Sequence, residues 1–310
     1  MKNQLALKPS YWASVSGGKD SLYMLALILA NLDKYPLDGV VHFELEIDYP
    51  FIKDVINHME KMCKNHNIKF VRLKPRTPWI EFYNKYGFPT RKGRWCNEKY
   101  KLDGKKQLDE FLKSQNMYTV YYIGYCAHER KRFEKRQSGK ITEIYPLADY
   151  AIEENTILQW AKNEPIFNDY YKYNDRCGCM FCPLASRKNL AYLYKFYPNQ
   201  YALLIALMRE TEETREMELG RPFAVMSSNP KYNAEYIDNN MIKHFCDICD
   251  KYLTVYNKAL SDTALITREL DGMNRPLYHT IKGMEICDEC AETICNTINA
   301  LRKGKEVKYK

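Results

Sequence analysis

Two groups of residues in this 310-residue chain have types and spacing suited to chemistry. The first is Ser16-Gly17-Gly18-Lys19-Asp20-Ser21. Paired glycines let the backbone approach an anion closely and turn its N–H groups towards it. Ser16 and Ser21 add hydroxyls, Lys19 adds a charge, and a helix starting near Asp20 adds the positive end of its dipole. Together these suit a phosphate; a plain strand-to-helix turn is the blander reading. The spacing is not G-x-x-x-x-G-K-S/T, so an ordinary P-loop is a poor fit.

The second group is cysteine. Seven of the eleven fall in tight sets: Cys177, Cys179 and Cys182; Cys246 and Cys249; Cys287 and Cys290. In a reducing compartment such clusters read as metal ligands, not as disulfides. Three thiols within six residues are one short of a four-ligand centre. Cys96, 81 residues upstream in the basic, aromatic segment RKGRWCNEKYK, is the candidate fourth. The expectation is that all four sulfurs converge beside the SGGKDS loop, on a 4Fe–4S cluster or on zinc, with unligated thiols as the third reading. Cys246, Cys249, Cys287 and Cys290 form two C-x-x-C knuckles 37 residues apart. Four thiolates so paired predict a structural Zn²⁺ in a treble-clef or zinc-ribbon module, where the metal replaces much of a core.

These residues need elements to hold them. Tyr11–Val15 reads as a buried strand, followed by SGGKDS and the helical run LYMLALILANL. Val40–Phe43 and Ile68–Leu73 read as strands around a helix over 52–67, whose apolar residues recur at helical spacing. Strand, helix, strand, helix, strand predicts a doubly wound parallel α/β sheet with right-handed crossovers. Ligands bind such sheets beyond the carboxyl ends of the strands, where SGGKDS would lie. Further on, Leu253–Val255, Ala264–Thr267 and Pro276–Ile281 read as short strands between the knuckles. The expected organisation is a nucleotide-binding α/β domain over 1–165, a cysteine-loop and helical extension over 166–243, and the small zinc-binding module with a basic tail over 244–310.

SGGKDS after an N-terminal strand resembles the PP-loop of the ATP pyrophosphatase (adenine nucleotide alpha-hydrolase) superfamily. FELEIDYP, GRWCNEKYK, IGYCAHERKR and IYPLADY follow in the order of the phosphoadenosine phosphosulfate (PAPS) reductase-like family, over roughly residues 10–200. The chain departs from the family pattern at Leu45-Glu46, where Thr-Gly is usual, and at Cys126, where an arginine is often found. The resemblance implies a Rossmann-like PP-loop fold that binds ATP, with Mg²⁺, and cleaves it between the α- and β-phosphates. It places nucleotide contacts at Ser16, Gly17, Gly18, Lys19, Asp20, Ser21, Glu44, Asp48, Gly124 and Arg132, with Lys19 and Asp20 in the catalytic roles. Sulfonucleotide reductases with a 4Fe–4S cluster, and related enzymes that modify nucleic acids with sulfur, carry cysteines at both points where Cys96 and Cys177–Cys182 stand.

Composition bounds the rest. At 45% hydrophobic and 28% charged the chain is globular in type. Its longest apolar run, Leu22–Ala30, is far too short to span a bilayer. With no apolar leader pattern near Met1, a cytoplasmic location is expected. A net charge of +8 favours an anionic partner. Residues 91–106 hold seven Lys or Arg against two acids, and residues 130–140 six against one. Arg94, Lys99, Arg132 and Arg136 are candidates to clamp phosphate or sulfate. His128 is either a lone surface histidine or a general acid–base. Cys63 reads as core.

Three functions fit. One is an ATP-dependent, pyrophosphate-releasing enzyme that adenylates a substrate and passes sulfur to it, the partners being a nucleotide, DNA or tRNA, and a sulfur-donor protein. The second is a sulfonucleotide reductase. Against it stand the intact SGGKDS and the absence of a Glu-Cys-Gly-Leu/Ile-His string from these residues. The third is a non-catalytic nucleotide- or nucleic-acid-binding protein.

Overall fold

The computed structural model describes residues 7–129 and 142–240, together with the backbone of three strands between residues 267 and 286. Five parallel strands form one sheet in the order β3-β2-β1-β4-β5. They are β1 (Lys8–Val15), β2 (Gly39–Phe43), β3 (Lys69–Leu73), β4 (Met117–Tyr122) and β5 (Glu143–Ile144). The chain order reverses direction between β1 and β4, so the crevice beyond Val15 is the switch point where ligands of such sheets sit.

Strand side chains alternate between faces, and both faces are covered. Ala13, Val40 and Tyr122 point into the main core with α1 (Lys19–Leu29) and α2 (Phe51–Asn65). Their strand neighbours Trp12, Val41 and Tyr121 pack on the other side. There they meet Leu108 and Leu112 of α4 (Leu102–Ser114), the helix that follows α3 (Trp79–Tyr86). The sheet is therefore doubly wound. Each element expected over residues 11–73 is present, with edges within three residues of the sequence reading.

The chain continues through α5 (Glu154–Lys162), α6 (Arg187–Phe196), α7 (Pro198–Leu219) and α8 (Ala234–Asn240). One continuous buried core joins this helical part to the sheet helices. Its seam is aromatic. Tyr49 and Phe51 pack on Tyr170 at ring distances of 5.2 and 5.1 Å, and Tyr170 packs on Tyr192 of α6 at 4.8 Å. Burial of several such rings, each covering roughly 150–250 Å², fixes the helical turn Tyr170–Tyr173 and the cysteine loop behind it. Cys63 lies fully buried in α2, as core.

Three antiparallel strands follow: β6 (Thr267–Leu270), β7 (Pro276–Ile281) and β8 (Met284–Ile286). β7 matches the sequence reading, β6 begins at the expected strand's last residue, and β8 was not anticipated. Leu253–Val255 and the knuckle cysteines Cys246, Cys249, Cys287 and Cys290 lie outside the described residues.

His42 ties β2 to the end of β1. It is buried, and its Nδ1 donates to the Val15 carbonyl at 3.0 Å. Burial pushes the imidazole pKa below its usual 6.5, so the folded protein holds it neutral. The unfolded chain takes up that proton first, and this part of the stability is lost as pH falls through about 6.5. Denaturant midpoints measured from pH 8 to pH 5 should decline, and His42→Gln should flatten the decline. An unchanged slope in the variant would count against the assignment.

Candidate active site at the carboxyl end of the sheet

The loop after β1 is built from local necessity. Gly17 has φ +77°, a left-handed conformation, and a Cβ there would lie 2.7 Å from Ile52 Cγ2 of α2. Gly18 caps α1 in extended conformation. Ser21 Oγ donates to the Gly18 carbonyl at 2.9 Å and accepts from Ser16 N–H at 3.3 Å, closing the loop on itself. Gly124, after β4, stands so close that a Cβ would meet the Asp20 carbonyl oxygen at 3.1 Å. Gly17→Ala is expected to cost about 1–3 kcal/mol from backbone strain and crowding. A denaturation midpoint equal to the parent's would contradict this geometry.

Lys19 is 1% exposed. Its Nζ sits 2.8 and 3.0 Å from the two Asp20 carboxylate oxygens and 3.4 Å from Glu154 Oε1. Its backbone N–H donates to the Tyr171 hydroxyl at 2.8 Å. Burial raises the Asp20 pKa, with Lys19 opposing. Glu154 also takes both Nε and Nη2 of Arg176, at 3.1 and 3.0 Å, and His128 Nε2 lies 3.2 Å from it. Burial would raise the Glu154 pKa, but Arg176 and Lys19 together hold it below the usual value. Cys126, buried, points its thiol at Asp20.

On the other side of the loop lies a cavity of about 180 Å³. Ser16 and Gly18 form one wall, Phe43, Leu45 and Asp48 another, and Lys101, Cys177, Gly178 and Cys179 a third. Cys177 Cβ is 3.9 Å from where a Cβ on Gly18 would stand. The cysteine loop is pinned there by Met180 N–H to the Ile47 carbonyl at 2.9 Å, and by the Tyr170 hydroxyl to the Arg176 carbonyl at 3.2 Å. Burial pushes the Asp48 carboxyl up to about 7, with Cys179 adding to the rise and Lys101 opposing it.

Cys96 opens a π-helical turn, Cys96–Lys101. Bonds of the i→i+5 type bring residues five apart towards one face, so Cys96 and Lys101 serve the same site. Buried Trp95 and Tyr100 anchor the turn on Phe82. The Cys96 thiol interacts electrostatically with Cys179 and Cys182, and Lys101 with Cys179. The donor set, four thiols beside a lysine counter-charge, has the chemistry of a four-thiolate centre. Among the described residues, however, no group of three or more His, Cys, Asp or Glu side chains stands in a metal-holding arrangement.

Several expected residues lie apart from the cavity. Glu44 pairs with Lys74 at 3.6 Å on the surface. Lys99 binds the Tyr86 hydroxyl at 2.8 Å, and Arg94 is exposed. Lys19, Asp20 and Gly124 gather on the β4 side of the loop instead of lining the cavity. Arg132 and Arg136 lie outside the described residues. His128 is not a lone histidine, since it meets Glu153 and Glu154. Sequence reading missed Lys101, Glu154, Tyr171 and Arg176. Only the five-residue offset of Lys101 from Cys96 left a signal, and it shows only once the turn is known to be π.

The phosphoadenosine phosphosulfate reductase domain matches residues 10–185, more than half of the chain, and the chain belongs to that family. Over 198 residues it is 32% identical to the uncharacterized protein MJ0973 of Methanocaldococcus jannaschii, a match covering 61% of this chain and 45% of that one. A second protein of that organism, MJ0066, is 26% identical over 222 residues, covering 69% and 44%. The chain thus spans less than half the length of these curated relatives. Among solved structures, the U34-tRNA thiolase NcsA from Methanococcus maripaludis with its 4Fe–4S cluster aligns over 76% of this chain and 82% of its own. Identity is 17% and the TM-score 0.37, a level of likeness that says nothing about the chemistry here. Among the described residues no helix is long and apolar enough to cross a membrane.

Proposed function

We propose that the protein activates a substrate with ATP at Ser16–Ser21, releasing pyrophosphate, and delivers sulfur to it through the adjoining thiols. The observation that carries this reading is the shared cavity: Ser16, Gly18, Cys177 and Cys179 all line it, with Cys177 next to Gly18. In the first step an acceptor oxygen attacks the α-phosphorus, the bond to the bridging oxygen breaks, and pyrophosphate leaves with Mg²⁺ as counter-charge. In the second, a sulfur nucleophile replaces the adenylate and AMP departs, the sulfur coming from a donor protein. The loop amides and the N-terminus of α1 hold the phosphates, and Asp48 and Lys101 set the charge of the cavity.

Cys96, Cys177, Cys179 and Cys182 are the residues that would hold a 4Fe–4S cluster or zinc, which would keep the thiols ionised. Cys246, Cys249, Cys287 and Cys290 are proposed to bind a separate structural Zn²⁺. A nucleic acid is proposed as the acceptor. In support, Arg91, Lys92 and Arg221 line a second cavity of about 320 Å³ with Phe223, Ser227 and Ser228, on the segment that leads into Cys96. None of the three cations makes an ion pair with a described residue, and such a groove suits phosphates with a base stacked on the ring. Incubation with ATP, Mg²⁺, total tRNA or DNA, and sulfide as the sulfur donor should yield AMP and pyrophosphate in equal amounts. ADP and phosphate, or binding without turnover, would refute the proposal.

A further inference from the structure

We propose that Glu154 is a positioning residue whose single carboxylate locks the nucleotide loop to the cysteine loop. This rests on the reading of Ser16–Ser21 as the ATP-binding loop. Glu154 is the first residue of α5, and side-chain nitrogens from three separate segments converge on it. Oε1 accepts from Lys19 Nζ at 3.4 Å and from Arg176 Nε at 3.1 Å. Oε2 accepts from Arg176 Nη2 at 3.0 Å and lies 3.2 Å from His128 Nε2. An ionised carboxylate offers about four lone-pair sites; three accept hydrogen bonds here, and His128 stands beside the fourth.

The partners are not equivalent. Arg176 is a planar fork, so its bidentate contact fixes the plane of the carboxylate. Lys19 is a point charge on a flexible stem and takes its place from the carboxylates around it. It is buried, and its other anionic partner is its own neighbour Asp20. Asp20 is fixed beside it in the same loop, so Glu154 is the partner from outside the loop that helps set where the Lys19 ammonium rests. The same contact restrains Arg176, and the next residue along the chain is Cys177. A phosphate that draws Lys19 off Glu154 changes the restraint on the cysteine loop, and a displaced cysteine loop leaves Lys19 less well neutralised. Such coupling is reciprocal.

Glu154→Gln keeps the shape and removes the charge. It should fold, and pyrophosphate release should fall by about 10–100-fold, as for other outer-shell partners, with the loss in kcat more than in KM. In a Lys19→Met background the same change should add no further loss, because it acts through Lys19. Losses that multiply would mark a general structural role and overturn the proposal. A second readout needs no turnover. In the full chain purified in air, without nucleotide, iodoacetamide labelling of Cys177 should speed up several-fold in Glu154→Gln and in Arg176→Gln, and no further in the double variant. Cys63, buried in α2, is the internal control. Unchanged Cys177 labelling would overturn the link between the loops. The predicted labelling pattern in a protein that releases no pyrophosphate would instead refute the ATP reading and leave the link standing. Should Glu154→Gln not fold, Arg176→Gln carries the labelling test alone.

Discussion

Replacing Lys19 by alanine is expected to cut pyrophosphate release at least ~100-fold, the loss typical of removing one preorganised electrostatic contact to a developing charge. The side chain is almost wholly buried, with its ammonium 2.8 Å from Asp20 and 3.4 Å from Glu154. Its removal therefore has a second consequence. Breaking a buried ion pair from one side leaves an uncompensated charge, which costs up to about 3–5 kcal/mol. The figure is smaller here because Asp20 is 35% exposed. The variant should bind ATP weakly and also melt several degrees lower. Asp20→Asn, which keeps the size of the side chain, should lose turnover with a smaller loss of stability. Pyrophosphate assays and thermal melts on both variants separate the two effects. Undiminished release in the Lys19 variant would remove this loop as the phosphate site.

The next largest effect is expected at the thiols. Anaerobically purified protein should carry metal at the Cys96, Cys177, Cys179 and Cys182 site, and Cys→Ser at any one of the four should lower its content and abolish sulfur transfer. Cys177 and Cys179 line the cavity beside Ser16 and Gly18, Cys179 interacts electrostatically with Cys182, and Cys96 interacts with both Cys179 and Cys182. Burial raises the pKa of Cys96 and Cys177, and the neighbouring Cys182 together with burial raises that of Cys179, so these thiols stay protonated until a cation stabilises their ionised form. Lys101 supplies part of that charge, and a metal would supply the rest. Metal analysis and a visible spectrum give the readout. Full metal content and activity in Cys96→Ser would show that Cys96 is no ligand.

What the sequence disclosed follows from which interactions are local. The order of strands and helices was legible because apolar periodicity is a property of neighbouring residues. SGGKDS was legible because a close-approach loop needs glycine at fixed positions, as the left-handed Gly17 shows. Cys96 was reached by counting ligands, an argument from chemistry. Glu154, Arg176 and Tyr171 left no trace. The contacts of Glu154 and Tyr171 to Lys19 bridge 135 and 152 residues, and no local pattern distinguishes them from any other glutamate or tyrosine. The inward turn of Lys19 was hidden for the same reason. A lysine in a glycine loop reads as a phosphate contact, and the half-buried carboxylates that hold it show only in the fold.

The central claim is that the nucleotide loop and the cysteine loop form one site, and cysteine footprinting under MgATP tests it most directly. At about 100 times its Kd, MgATP leaves roughly 1% of sites empty. Alkylation of Cys177 and Cys179 should then slow by at least ~10-fold relative to nucleotide-free protein, while Cys63, buried in α2, reacts as before. Cys177 and Cys179 labelling at the nucleotide-free rate, in protein shown by equilibrium binding to be saturated with ATP, would contradict it.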